Sequence, residues 1–97
     1  MKEQIKVYIS GPIAGYDLKE RKRAFQKVKE KLYKRGYIPV NPFENGLPDD
    51  AHWREHMKAD IAMLVKCDRI YMMTDWHLSK GCKLEFDVAT SCGIDIM

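Results

Sequence analysis

The sequence predicts an α/β fold: a parallel sheet of about four strands between helices on both faces. Three observations lead there. Short runs rich in β-branched and aromatic residues alternate with longer stretches of helical periodicity. A crossover helix separates each strand from the next, as parallel pairing requires. Glycine closes two of the helical stretches, at Gly36 and Gly93.

In order, Ile5, Val7 and Ile9 alternate with Lys6 and Tyr8 and mark a first strand ending at Ser10-Gly11. Asp17-Leu18-Lys19-Glu20 has the spacing of a capping box and opens a helix with Phe25, Val28 and Leu32 on one side. Tyr37 to Val40 is a second strand, broken at Asn41-Pro42. A loop from Phe43 to Asp50 leads to a second helix, capped by Asp49 or Asp50 and striped by Trp53, Met57, Ile61 and Leu64. Arg69 to Thr74 is the third strand, Ser79 caps a third helix running to Cys92, and Ile94 to Met97 is the fourth strand. Winding this βαβαβαβ chain gives a three-layer, flavodoxin- or Rossmann-like sheet of order 2-1-3-4. Ligands of such sheets bind beyond the carboxyl ends of the strands. That rim comprises residues 10–15, 41–44 and 75–81.

The totals narrow the classes. Ninety-seven residues, 45% of them hydrophobic, make one domain over 1–97 with a single core and apolar surface left over at its edges. Self-association into a homodimer or larger homo-oligomer is therefore expected. The net charge of +3 is mild, and the bases crowd between Lys19 and Arg35, which reads as the wet face of a helix and not a nucleic-acid patch. No nucleic-acid polymer is expected as a partner. Cys67, Cys82 and Cys92 are odd in number and lack CxxC spacing, so they read as free thiols in a reducing compartment. The opening residues Met1 to Gln4 run straight into the first strand, and no apolar stretch approaches the length of a membrane span. The sequence thus reads as a cytoplasmic protein without a membrane partner.

Two carboxylates stand where ordinary ones do not. At about 100° per residue, Trp53, Met57, Ile61 and Leu64 span an arc of about 80°, and Asp60 falls about 20° from its edge. In the third helix, Gly81, Leu84, Val88 and Cys92 define the inner face, and Glu85 lies between Gly81 and Ala89. Desolvating a carboxylate is expensive, so two inward acids on neighbouring helices point to acid, base or nucleophile chemistry. Ser10-Gly11-Pro12-Ile13-Ala14-Gly15 joins the first strand to the helix after it, and its amides can approach a phosphate or sugar. Ser79-Lys80-Gly81 is a second anion seat at a helix start. His52, His56 and Asp60 recur every four residues, but no glutamate follows the first histidine, so this is a fragment of a zinc pattern and no metal is expected.

With these residues assembled, the chain resembles the nucleoside 2-deoxyribosyltransferase-like superfamily, especially its short bacterial and phage members. The matching segments are Val7 to Ile13, Gly36 to Phe43, Met57 to Asp68 and Trp76 to Glu85, in family order and spread over nearly the whole chain. The resemblance implies a glutamate nucleophile four residues after a glycine, here Glu85 after Gly81, with Asp60 as the second acid and Tyr8 orienting the carboxylate. It implies N-glycosidic cleavage or base transfer on a nucleoside or nucleoside 5'-monophosphate, with no cofactor. Related monophosphate N-glycosidases carry serine six residues before the glutamate, and Ser79 stands there, although Ala14 replaces the arginine of their first loop. Asn41, Phe43 and Trp76 are expected to frame the base. The substrate-binding set is then Ser10, Gly11, Pro12, Ile13, Gly15, Asn41, Phe43, Trp76, Ser79, Lys80 and Gly81. The alternative is a nucleotide-binding module that keeps the pocket without turnover, since larger relatives complete the site with a neighbouring subunit's C-terminal segment.

Overall fold

A computed structural model describes residues 4–97. The opening residues 1–3, read above as part of a leaderless start, lie outside that range. The elements run β1 (Lys6–Ser10), α1 (Leu18–Lys34), β2 (Ile38–Val40), α2 (Trp53–Leu64), β3 (Arg69–Met72), α3 (Lys80–Ser91) and β4 (Asp95–Ile96). Short 3-10 turns at Pro42–Glu44 and Trp76–Leu78 interrupt the connections. The sheet is parallel throughout, in the order β2-β1-β3-β4. This is the expected fold.

Because β1 is central, both of its faces are covered, and Val7 to Ser10 are all buried. Val7 and Ile9 pack with Phe25 and Leu32 of α1 and with Met73. Tyr8 points to the opposite layer, with Leu64 of α2, Ile70 of β3 and Ala89 of α3. The alternation read in the sequence therefore separates two buried faces, not a wet face from a dry one.

The ends of the helices follow their chemistry, with one correction. Asp17 caps α1 by accepting from the Glu20 N–H, and Gly36 adopts a φ of +89° after its last turn. Ser79 caps α3 by accepting from the Cys82 N–H at 3.2 Å. For α2 the cap is His52, whose Nδ1 accepts from the Arg54 N–H, not Asp49 or Asp50. Asp49 instead pairs with Lys22 of α1 at 2.7 Å and ties the loop before α2 to the far layer. The strands are also trimmed: β3 stops at Met72 and β4 covers only two residues. Among the described residues no helix is long and apolar enough to cross a membrane.

Candidate active site

Tyr8 and Ser10 are two residues apart on β1 and so project from the same face of the sheet. That face meets α3 at Glu85. The Tyr8 hydroxyl donates to Glu85 Oε2 at 2.6 Å, and the Ser10 hydroxyl donates to Oε1 at 2.6 Å. Glu85 is 5% exposed. Burial pushes its carboxyl up to about 7, the two hydroxyl donors pull it down, and the charge of Asp60 raises it further. Burial is the largest cause of a Tyr8 phenol held well above its ordinary range, and the Glu85 and Asp60 charges add to it.

Asp60 arrives from α2 and is also buried, at 8% exposure. Asn45 Nδ2 donates to its Oδ1 at 2.8 Å. Burial raises the Asp60 carboxyl, while the Asn45 bond and the nearby His56 oppose that rise. Both carboxylates line one cleft of about 560 Å³ at the carboxyl ends of the strands. Its walls come from the β1–α1 loop (Gly11, Ile13, Ala14), the segment before α2 (Phe43, Asn45, Leu47) and the start of α3 (Ser79, Lys80, Gly81).

The structure thus gathers much of the expected set and separates the rest. Gly11, Ile13, Phe43, Ser79, Lys80, Gly81, Asp60 and Glu85 line the cleft, while Tyr8 and Ser10 lie beneath it as the donors to Glu85. Ser10, expected to touch substrate, is occupied by the carboxylate. Four other residues of the expected substrate-binding set lie outside the cleft lining and make contacts within the fold. Pro12 is fully buried and its carbonyl accepts from Arg21 Nη1 at 3.2 Å. Gly15 sits at φ +86° in a turn closed by the Tyr16 N–H on the Ile13 carbonyl. Asn41 is buried and caps the first 3-10 turn, accepting from the Phe43 N–H at 3.0 Å. Trp76 stacks on Phe86, with centroids 4.8 Å apart, outside the cleft.

The face of α3 is also rotated from the expected one. Cys82, Glu85 and Ala89 are buried, and Leu84 and Cys92 are exposed. Glu85 lies on that buried face, turned inward as its place between Gly81 and Ala89 predicts. Gly11 is required by packing: a Cβ there would lie 2.5 Å from Met73 Sδ and 3.0 Å from Phe25 Cζ. Lys80 Nζ rests 4.9 Å from the Trp53 ring centroid, so a cation and an aromatic face meet across the cleft. Sequence reasoning missed Asn45, Leu47, Trp53, His56 and Leu78 as cleft residues, and read the His52-His56-Asp60 spacing as a fragment of a zinc pattern with no metal expected. His56 bonds to Asn45 and the Pro48 carbonyl, and among the described residues no group of three or more His, Cys, Asp and Glu is arranged to hold a metal.

The family model described as "Domain of unknown function (DUF4406)" matches residues 5–97. No curated protein matches the chain. Several solved structures share its fold. A 2-deoxyribosyltransferase from Bacillus psychrosaccharolyticus is 20% identical, with a TM-score of 0.73 over 95% of this chain and 69% of its own. A conserved protein from Enterococcus faecalis V583 is 21% identical, with a TM-score of 0.70 over 96% of this chain and 61% of its own. The CMP N-glycosidase of Clostridium botulinum is 18% identical, with a TM-score of 0.65 over 94% of this chain and 67% of its own. The chain therefore has a nucleoside 2-deoxyribosyltransferase-like fold and spans 61–69% of the length of these structures. It belongs to the DUF4406 family.

Proposed function

We propose that this DUF4406 member cleaves or transfers the N-glycosidic bond of a nucleoside or nucleoside 5'-monophosphate, with Glu85 as nucleophile. The observation that carries the reading is a carboxylate buried under a cleft with both oxygens held by hydroxyls and a second buried acid in the same cleft. Two-step displacement at a sugar uses such a pair. In the first step a Glu85 oxygen bonds to the anomeric carbon as the bond from that carbon to the base nitrogen breaks. The electron pair leaves with the base, and Asp60 supplies a proton to it or holds a sugar hydroxyl. In the second step water, or another base, takes the anomeric carbon and frees Glu85. Tyr8 and Ser10 hold the carboxylate in line throughout.

The rest of the cleft suits such a substrate. Phe43, Leu47 and Trp53 offer apolar walls to a flat base, and Ser79 and Lys80 at the start of α3 suit a 5'-phosphate. The fold shared with a deoxyribosyltransferase and a CMP N-glycosidase supports the reaction class. Leu18, Trp53 and Leu78 are exposed at the cleft's mouth, an apolar rim that suits contact with a second copy.

The test is a chromatographic screen for free base after incubation with the common nucleosides and nucleoside monophosphates. Wild-type chain releases base from at least one, and Glu85→Gln does not. Undiminished release by Glu85→Gln eliminates it as nucleophile; calorimetric binding with no release favours a binding module instead.

A further inference from the structure

The segment before α2 folds back on that helix through one asparagine. Asn45 Oδ1 accepts from the Leu47 N–H at 3.0 Å, which fixes which way the amide points. Both protons of Nδ2 are then directed at α2, one to Asp60 Oδ1 at 2.8 Å and one to His56 Nδ1 at 3.0 Å. His56 and Asp60 stand four residues apart and share a helix face. The Pro48 carbonyl lies 3.1 Å from His56 Nε2 and can only accept. A donor facing Nδ1 and an acceptor facing Nε2 fix the orientation of the ring. Every hydrogen-bonding atom of the Asn45 side chain is thereby used inside the protein. Among the described residues no hydrogen bond reaches Asp60 Oδ2.

We propose that Asn45 and His56 are positioning residues that hold Asp60 Oδ1 and turn Oδ2 toward the reacting sugar and base. The role rests on the glycosyl-transfer reading, but the device is local. Leu47 and Pro48 orient the two side chains, the two side chains orient the carboxylate, and the carboxylate faces the cleft. Neither Asn45 nor His56 has an atom left to read the base. Their loss alters the chemical step more than substrate binding.

The test uses the full chain with two readouts. The first is kcat and KM for base release. The second is the carboxyl carbon-13 titration of Asp60 without ligand, in the presence of the Glu85, His56 and Tyr8 groups around it. Asn45→Leu keeps the volume and removes the donor. It lowers kcat roughly 10- to 100-fold with KM within about threefold, and Asp60 titrates at higher pH. His56→Phe acts in the same direction more weakly, and His56→Asn, which keeps an acceptor near the Nδ1 position, restores most of the loss. An unchanged Asp60 titration and an unchanged kcat in Asn45→Leu overturn the proposal, whatever happens to thermal stability. If Asn45→Leu does not fold, the His56→Phe and His56→Asn pair decides, and equal behaviour of those two overturns it. If wild-type chain releases no base from any substrate, the glycosidase reading falls, and the titration alone decides whether Asn45 and His56 hold Asp60.

Discussion

At the scale of single residues, the energetics of the site centre on Glu85. A buried carboxylate is tolerable when donors face it, and Tyr8 and Ser10 supply one to each oxygen. Burial still wins, since the carboxyl is pushed up to about 7 from its ordinary 4.5. The proposed role of Glu85 as nucleophile requires its ionised form, so the proposal predicts turnover that rises with pH through about 7. Tyr8→Phe removes a donor that favours the charged form. It shifts that limb to higher pH and lowers kcat roughly 10- to 100-fold, which a pH–rate profile reads directly. Ser10→Ala moves the limb in the same direction. A limb unmoved in both variants separates the hydroxyls from the Glu85 titration.

The inward placement of Glu85 and Asp60 was legible because helical geometry converts sequence spacing into direction. The role of Asn45 was not. It lies in a loop without periodicity, and its partners become neighbours only when that loop turns back onto α2. The placement of Trp76 outside the cleft was hidden for a related reason. An aromatic residue near the rim suggests a base platform, but the 3-10 turn swings it onto Phe86.

At the scale of elements, the junction of β1 with its following loop sets the height of the cleft floor. Gly11 closes the strand against Met73 and Phe25 with no room for a side chain. Gly11→Ala destabilises the fold by about 1–3 kcal/mol through overpacking. Pairing it with Met73→Ala costs less than the two single changes summed, because the second opens the space the first needs. Additive losses in denaturant titrations contradict that packing argument. The caps are simpler: Asp17→Ala costs about 1 kcal/mol by releasing the Glu20 N–H at the start of α1. That cap was visible in the sequence as spacing. The cap of α2 was not, since His52 lies outside the residue types that usually hold that place. The rotation of α3 was hidden too, because an apolar wheel assigns the inner face to Gly81, Leu84, Val88 and Cys92, whereas the structure buries Cys82, Glu85 and Ala89.

At the scale of the whole molecule, the order 2-1-3-4 brings β1 to the middle and sets the site at the strand ends. The strand runs, crossover helices and stop glycines carried that topology in the sequence. The same arrangement makes the fold bear a cost for its site. Unfolded Glu85 loses its proton near 4.5, and folded Glu85 keeps it up to about 7. Between those values the folded state binds the extra proton, so this group's contribution to stability is greatest at low pH and is lost as pH rises to about 7. The span corresponds to about 3 kcal/mol. Glu85→Gln removes the titration. Its thermal midpoint should exceed that of wild type at pH 8, with the gap closing toward pH 4.5. A gap independent of pH contradicts the burial account.

The central claim is that a covalent bond forms between Glu85 and the sugar. Acid quenching during turnover, followed by digestion and mass spectrometry, looks for that bond. The account predicts the peptide containing Glu85 with the added mass of the substrate's sugar portion, and no such peptide from Glu85→Gln. Steady release of base with every Glu85 peptide unmodified, and release undiminished in Glu85→Gln, contradicts it.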